Sequence, residues 1–298
     1  MNCLIEVTEM TDWGSEEPQM NDTAFTVAVV GLGLIGGSMA LGLKGKVGQV
    51  RGLDIDPEVL RQAAGRDLAD ELSDDPAKVL PGADLVIVAL YPQAAQRFIL
   101  EHQDLMDPGT LITDVAGIKA EMVSVLQKAL RPDLEYLGGH PMAGREGAGL
   151  QQAREEMFLG SYYILTPTSR NRAGSVQTLE EIVGLLGPRK VVRLEPEKHD
   201  RLMAYTSQLP HVLAVLLMNG FTEDSRFLLG GSFRDGTRVA TINEHLWTEL
   251  FHANQGPLEE ELVAFRDRLD QFLAVLRAGD EEAMKDILRS ARERKQQL

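Results

Sequence analysis

The sequence contains one cysteine, Cys3, and six histidines among 298 residues. A single thiol excludes an internal disulfide framework and a cysteine-based metal centre, and it fits a reducing, cytoplasmic setting. The histidines show neither HxxxH nor HxH spacing, so no metal site is expected. No run approaches the roughly twenty apolar residues that a membrane span requires. The first residues, MNCLIEVTEMTDWGSEEPQMNDTA, are acidic where a secretory signal would be basic. Positive charge is scarce as well: 30 Lys and Arg stand against 45 Asp and Glu, a formal net charge of −15. That balance argues against nucleic acid or an anionic membrane as a partner. It leaves an anionic small molecule open, because a few arginines can dominate one pocket.

At 44% hydrophobic and 25% charged, the chain has ample material for a core. Residues 1–23 read as a polar, flexible tail. From Thr26 the pattern changes: TVAVVG, VRGLD, DLVIVAL, TLITDV, EYLGGH, YYILTP and KVVRL read as apolar strands with helical segments between them. Strands apolar throughout and alternating with helices predict a parallel sheet covered on both faces. After Pro196 only helical spacing remains. The expected architecture is an α/β Rossmann-type dinucleotide-binding domain over 24–195 followed by an all-α domain over 196–298. The segment ELVAFRDRLDQFLAVL has a broad apolar face, which either packs inside its own domain or pairs helices across a homodimer.

The first turn reads Gly31-Leu32-Gly33-Leu34-Ile35-Gly36, and Asp54 follows eighteen residues after Gly36 at the end of the second strand. A GxGxxG alone says little, but here it follows an apolar strand and opens a helix, the context a dinucleotide fingerprint requires. Gly31 permits the tight turn and Gly33 lets a pyrophosphate reach the backbone of Leu32, Leu34 and Ile35. Gly36 lets helix and strand pack closely. A carboxylate at Asp54 accepts from ribose hydroxyls and repels a 2′-phosphate, so NAD is expected over NADP. Further on, GGHPMAGREGAG (Gly138 to Gly149) places His140 in a loop of unusual backbone freedom. A glycine-rich surface turn and a general base close to substrate are both open readings of it.

GGHPMAGRE, TSQLPH and GGSFRDGTRVA, in this order behind the Rossmann pattern, resemble the prephenate/arogenate dehydrogenase family of tyrosine biosynthesis, in its minimal, monofunctional form. The resemblance implies NAD-dependent oxidative decarboxylation of prephenate, with arogenate as the alternative substrate. It makes His140 the base that takes the ring hydroxyl proton. Arg238 matches the arginine that holds a substrate carboxylate, and Glu146 and Asp235 match acidic positions around it. His211 matches a position near the substrate, and Arg145 adds positive charge. Many relatives carry a serine where this chain has Gly117, in DVAGIK beside the cofactor; its hydroxyl contacts substrate and catalytic histidine, and glycine cannot replace it. Thr113, a water or backbone N–H groups are the candidate substitutes, and Lys119 either serves the motif or pairs with Asp114. The remaining histidines, His102, His199, His245 and His252, read as surface or packing residues. A β-hydroxyacid dehydrogenase would need a catalytic lysine that the TSQLPH helix lacks. A catalytically idle, NAD-binding dimer draws support from Gly117 alone.

Overall fold

The computed structural model describes residues 6–8, 24–144, 147 and 149–297. Glu6–Thr8 (β1) and Thr26–Val30 (β2) come first, and β2 leads through the glycine turn into Leu34–Leu43 (α1). Gln49–Leu53 (β3), Pro57–Gly65 (α2), Glu71–Ser73 (β4) and Pro76–Val79 (α3) complete one half of the nucleotide fold. The other half comprises Leu85–Val88 (β5), Pro92–His102 (α4), Leu111–Asp114 (β6), Ala120–Ala129 (α5) and Glu135–Tyr136 (β7). Proline opens α2 at a position whose N–H is unpaired in any helix, and the Asp56 carboxylate accepts from Glu58 N at 2.8 Å.

These strands form one parallel sheet in the order β4-β3-β2-β5-β6-β7. Renumbered from β2 this is the 3-2-1-4-5-6 order of a dinucleotide fold, and its switch point lies between β2 and β5. Alternate residues of β2 enter different cores. Val27 and Val29 pack with Met39 and Leu43 of α1, while Ala28 and Val30 pack with Ala95 and Ile99 of α4. Helices therefore cover both faces, which explains why the strands read as uninterrupted apolar runs.

EYLGGH, expected as one parallel strand, is two. β7 stays in the parallel sheet, and Gly138–Pro141 (β8) leaves it to pair antiparallel with Tyr162–Thr166 (β9). The glycine pair makes the crossing possible. A Cβ on Gly139 would lie 2.8 Å from the Asp114 carbonyl oxygen, and one on Gly138 would lie 2.5 Å from Thr166 Oγ1. Ala173–Gly184 (α6) and Lys190–Arg193 (β10) follow, giving a second sheet of order β1-β10-β9-β8. Part of the segment read as a flexible tail is thus a strand: β1 pairs antiparallel with β10, whose edge would otherwise be open.

From Pro196 the described chain is helical: Pro196–Met203 (α7), Leu209–Asn219 (α8), Gly231–Thr237 (α9), Glu244–Ala253 (α10), Gln255–Ala278 (α11) and Glu281–Lys295 (α12). Between α7 and α8 the helix widens to a π turn over Ala204–Gln208. Pro210 supplies the cause, since it has no N–H for the Thr206 carbonyl four residues back. The apolar face of α11 is not buried within the chain: Val263, Leu269 and Leu276 are 40%, 48% and 58% exposed. No described helix is long and apolar enough to cross a membrane.

Candidate active site

The glycine turn sits at the switch point. Gly31 has φ +85°, and a Cβ there would meet the Ala89 carbonyl oxygen and Leu90 Cδ2, both at 2.7 Å. A Cβ on Gly36 would lie 1.9 Å from the Gly31 carbonyl oxygen, so helix and turn touch backbone to backbone. Gly33 differs from both: a Cβ there would meet nothing within 4 Å. It is the N-cap of α1 and offers no capping side chain, and the first turn holds no acidic residue. The amides of the first turn are thus capped by no side chain at the positive end of a ten-residue helix. Such a cradle fits a pyrophosphate.

Asp54 closes the other side. One of its oxygens accepts from Leu32 N at 2.8 Å and the other from Asp56 N at 2.9 Å. The carboxylate thus pins the glycine turn and keeps lone pairs for a ribose. Beyond it Ile55 is 88% exposed and Asp56 caps α2, so no described cation follows Asp54 at these two positions to receive a 2′-phosphate.

His140 stands on β8, just beyond the glycine crossing, and not past the end of a parallel strand as expected. Its Nδ1 lies 2.8 Å from His199 Nε2, and His199 Nδ1 lies 2.7 Å from Asp200 Oδ1. Asp200 is fixed in turn. Its two carboxylate oxygens accept from Lys119 N and Ala120 N at 2.8 Å each, which caps α5, and Asn254 Nδ2 donates to its carbonyl at 2.9 Å. His199 is fully buried, which removes the surface reading of it, and its ring contacts add a hydrogen-bonding role to the packing one. A usable signal was present: Pro196, His199, Asp200 and Met203 recur at helical spacing, and all four face inward on α7.

The loop after β6 lies against the other ring nitrogen. A Cβ on Gly117 would sit 3.8 Å from His140 Nε2 and 3.6 Å from Leu250 Cδ2. Lys119, wholly buried, holds this loop: its Nζ donates to Asp114 Oδ2 and the Ala116 carbonyl at 2.6 Å and to the Ile118 carbonyl at 3.0 Å. Asp114 also accepts from Tyr136 OH at 2.7 Å and Ala116 N at 2.8 Å. Thr113 Oγ1 is buried without a hydrogen-bond partner among the described residues, so it makes no bond to the His140 ring.

Burial holds the His140 imidazole well below the ordinary histidine range, reinforced by the neighbouring His199 and Lys119 charges. Burial also lowers His199, against the opposing pull of Asp200. Both favour the neutral ring. Between the folded value and the unfolded value of about 6.5, the unfolded chain binds protons that the folded chain refuses. The stability these rings contribute is complete above that value and is lost as pH falls through the window. Urea unfolding between pH 7.5 and 5.5 is expected to show a loss of about 1 kcal/mol per pH unit per buried imidazole below pH ~6.5. The slope should shrink in His140→Asn; an identical slope in that variant would place the acid sensitivity elsewhere.

The substrate-side residues are more dispersed. His211 on α8 stacks on Trp247 with ring centroids 3.8 Å apart, and its Nδ1 lies 2.8 Å from the Ser207 carbonyl oxygen. Burial lowers its pKa, and the charge of nearby Arg238 lowers it further. Arg238 opens a short 3₁₀ turn, Arg238–Ala240, that packs on α8. Asp235 is exposed on α9. Arg145 and Glu146 lie outside the described residues. The helical half meets the nucleotide half at the start of α4, where Gln93 N donates to the Glu249 carboxylate and Asn243 Nδ2 donates to Tyr91 OH at 2.9 Å.

The family model described as the prephenate dehydrogenase nucleotide-binding domain matches residues 39–192, and that described as the prephenate dehydrogenase dimerization domain matches residues 195–290. The chain belongs to the prephenate dehydrogenase family. It is an oxidoreductase with a nucleotide-binding half and a helical half. Prephenate dehydrogenase of Bacillus subtilis is 28% identical over 289 residues, covering 92% of this chain and 76% of that protein. Cyclohexadienyl dehydrogenase of Zymomonas mobilis is 30% identical over 260 residues, covering 84% and 86%. Among solved structures, prephenate dehydrogenase from A. aeolicus in complex with hydroxyphenyl propionate and NAD+ is similar with a TM-score of 0.84 at 25% identity, covering 92% of this chain and 98% of that one.

Proposed function

We propose that the protein catalyses the NAD-dependent oxidative decarboxylation of prephenate to 4-hydroxyphenylpyruvate. The observation that carries this reading is a half-buried imidazole, His140, kept neutral and held through Nδ1 so that Nε2 faces the Gly117 loop. The α1 cradle and Asp54 would hold NAD, which would supply the acceptor for the hydride that leaves C4. The chain's own residues do the rest. His140 Nε2 takes the proton of the C4 hydroxyl as that carbon becomes a carbonyl. The C1–carboxylate bond then breaks, its electron pair enters the ring, carbon dioxide leaves, and His140 returns the proton to the phenolate oxygen. Arg238 holds a substrate carboxylate through two parallel hydrogen bonds, with His211 beside it. By family resemblance Asp235, Glu146 and Arg145 are further candidates for contact with the substrate's charges. Aromatisation provides the driving force, so positioning is the main demand on the protein.

The active form in this reading is a homodimer paired through the helical half. Leu216, Leu217, Phe227, Leu228 and Leu269 are large apolar residues exposed in a single chain, which supports pairing there. The test is absorbance of reduced nicotinamide with prephenate or arogenate against NAD or NADP. Reduction with prephenate and NAD is expected. Reduction only with arogenate would transfer the substrate, and silence in all four, from protein that binds NAD, would favour an idle nucleotide-binding dimer.

A further inference from the structure

The base is mounted on the nucleotide half, yet the groups that hold its ring come from α7 of the helical half. The protons along this chain of contacts can be assigned by elimination. An ionised carboxylate only accepts, so the His199 nitrogen facing Asp200, Nδ1, carries hydrogen. A neutral His199 then presents a bare lone pair at Nε2. That lone pair faces His140 Nδ1 at 2.8 Å, so the hydrogen between the two rings belongs to His140. The remaining nitrogen of His140, Nε2, is left with its lone pair beside the Gly117 backbone.

We infer that His199 and Asp200 are positioning residues that lock His140 in the Nδ1–H tautomer, replacing from the far side of the ring the orienting hydroxyl that Gly117 cannot supply. This inference rests on His140 being the base of the proposed reaction. The lock is rigid because each member is held from outside it: Asp200 by the α5 amides of Lys119 and Ala120, and its carbonyl by Asn254, which also donates to Gln208 Oε1 at 2.8 Å. The arrangement also has a defined failure mode. A proton added to His199 would turn its Nε2 from acceptor to donor, drive the His140 hydrogen to Nε2, and remove the base. The charged groups facing the pair are Asp200 and Asp114, which favour that proton, and Lys119, which opposes it.

Nitrogen NMR of ¹⁵N-histidine-labelled, NAD-saturated protein reads the tautomer directly. The expected wild-type result is Nδ1–H on both His140 and His199. In His199→Leu the His140 signal should move toward the Nε2–H form, and kcat should fall about 100-fold while the NAD dissociation constant and the substrate KM stay within about threefold. His199→Gln can again offer an acceptor oxygen to His140 Nδ1 and should recover about tenfold of that loss. A wild-type spectrum with Nε2–H on His140 would overturn the inference before any variant is made. So would a His199→Leu protein of normal NAD affinity whose His140 tautomer and kcat are unchanged. Because the spectrum needs no turnover, it separates failure of the lock from failure of the proposed substrate.

Discussion

His140→Asn is expected to bind NAD as the wild type does and to lose about 10³-fold in kcat, within the range that a positioned base contributes. Asparagine can still offer an N–H to His199 Nε2, so the buried contact survives while the proton acceptor is gone. Nicotinamide reduction at saturating substrate gives the rate, and calorimetric titration with NAD gives the affinity. The cradle of Gly31, Gly33 and Gly36 lies on α1 and the turn before it, separate from β8, which is why affinity and rate should come apart. Turnover within a few-fold of wild type would remove His140 from the chemistry and leave the glycine-rich loop with only a packing role.

Lys119→Met is expected to lower unfolding free energy by about 3 kcal/mol, because it leaves the fully buried Asp114 carboxylate without its cation. Tyr136 OH and the amide of Ala116 still donate to that carboxylate, which places the loss at the lower end for a broken buried pair. Burial lowers the Lys119 pKa, opposed by Asp114, so the ammonium is retained by its partner rather than by solvent. The same nitrogen ties down the carbonyls of Ala116 and Ile118, and catalysis should weaken with stability as the Gly117 loop loses its anchor. Urea unfolding at pH 7.5 measures the first effect. Adding Asp114→Asn should recover part of it, since the orphaned charge disappears. A shift below about 1 kcal/mol in the single variant would mean that the pocket neutralises Asp114 or admits water.

Much of this was legible because the relevant signals are local. Strand, glycine turn, helix and a carboxylate eighteen residues later form a contiguous pattern, and the fold reproduces it with Asp54 against the turn that precedes it. The junction of GGH was half legible. Its glycines announced a close approach, but what they approach, the Asp114 carbonyl and Thr166, lies 25 residues away on one side and 28 on the other. His199 is half legible for a related reason. It meets His140 across 59 residues of chain, and nothing in the local string EPEKHD distinguishes a buried histidine from a solvated one except the inward spacing of its neighbours. β1 escaped notice because three residues in a polar stretch become a strand only when a waiting sheet edge accepts them.

The carboxylate of Asp200 caps a helix in the half to which it does not belong. That crossing bears on where the gene for such a protein can be cut and rejoined. A recombinant made by joining two relatives at Leu194 or Glu195, where sheet gives way to helices, would supply α5 with a cap that evolved against a different partner. One joined at the π turn after α7 would carry cap, histidine and base together. In the currency of heredity, the segment that keeps this cap with its helix is the nucleotide half plus one helix.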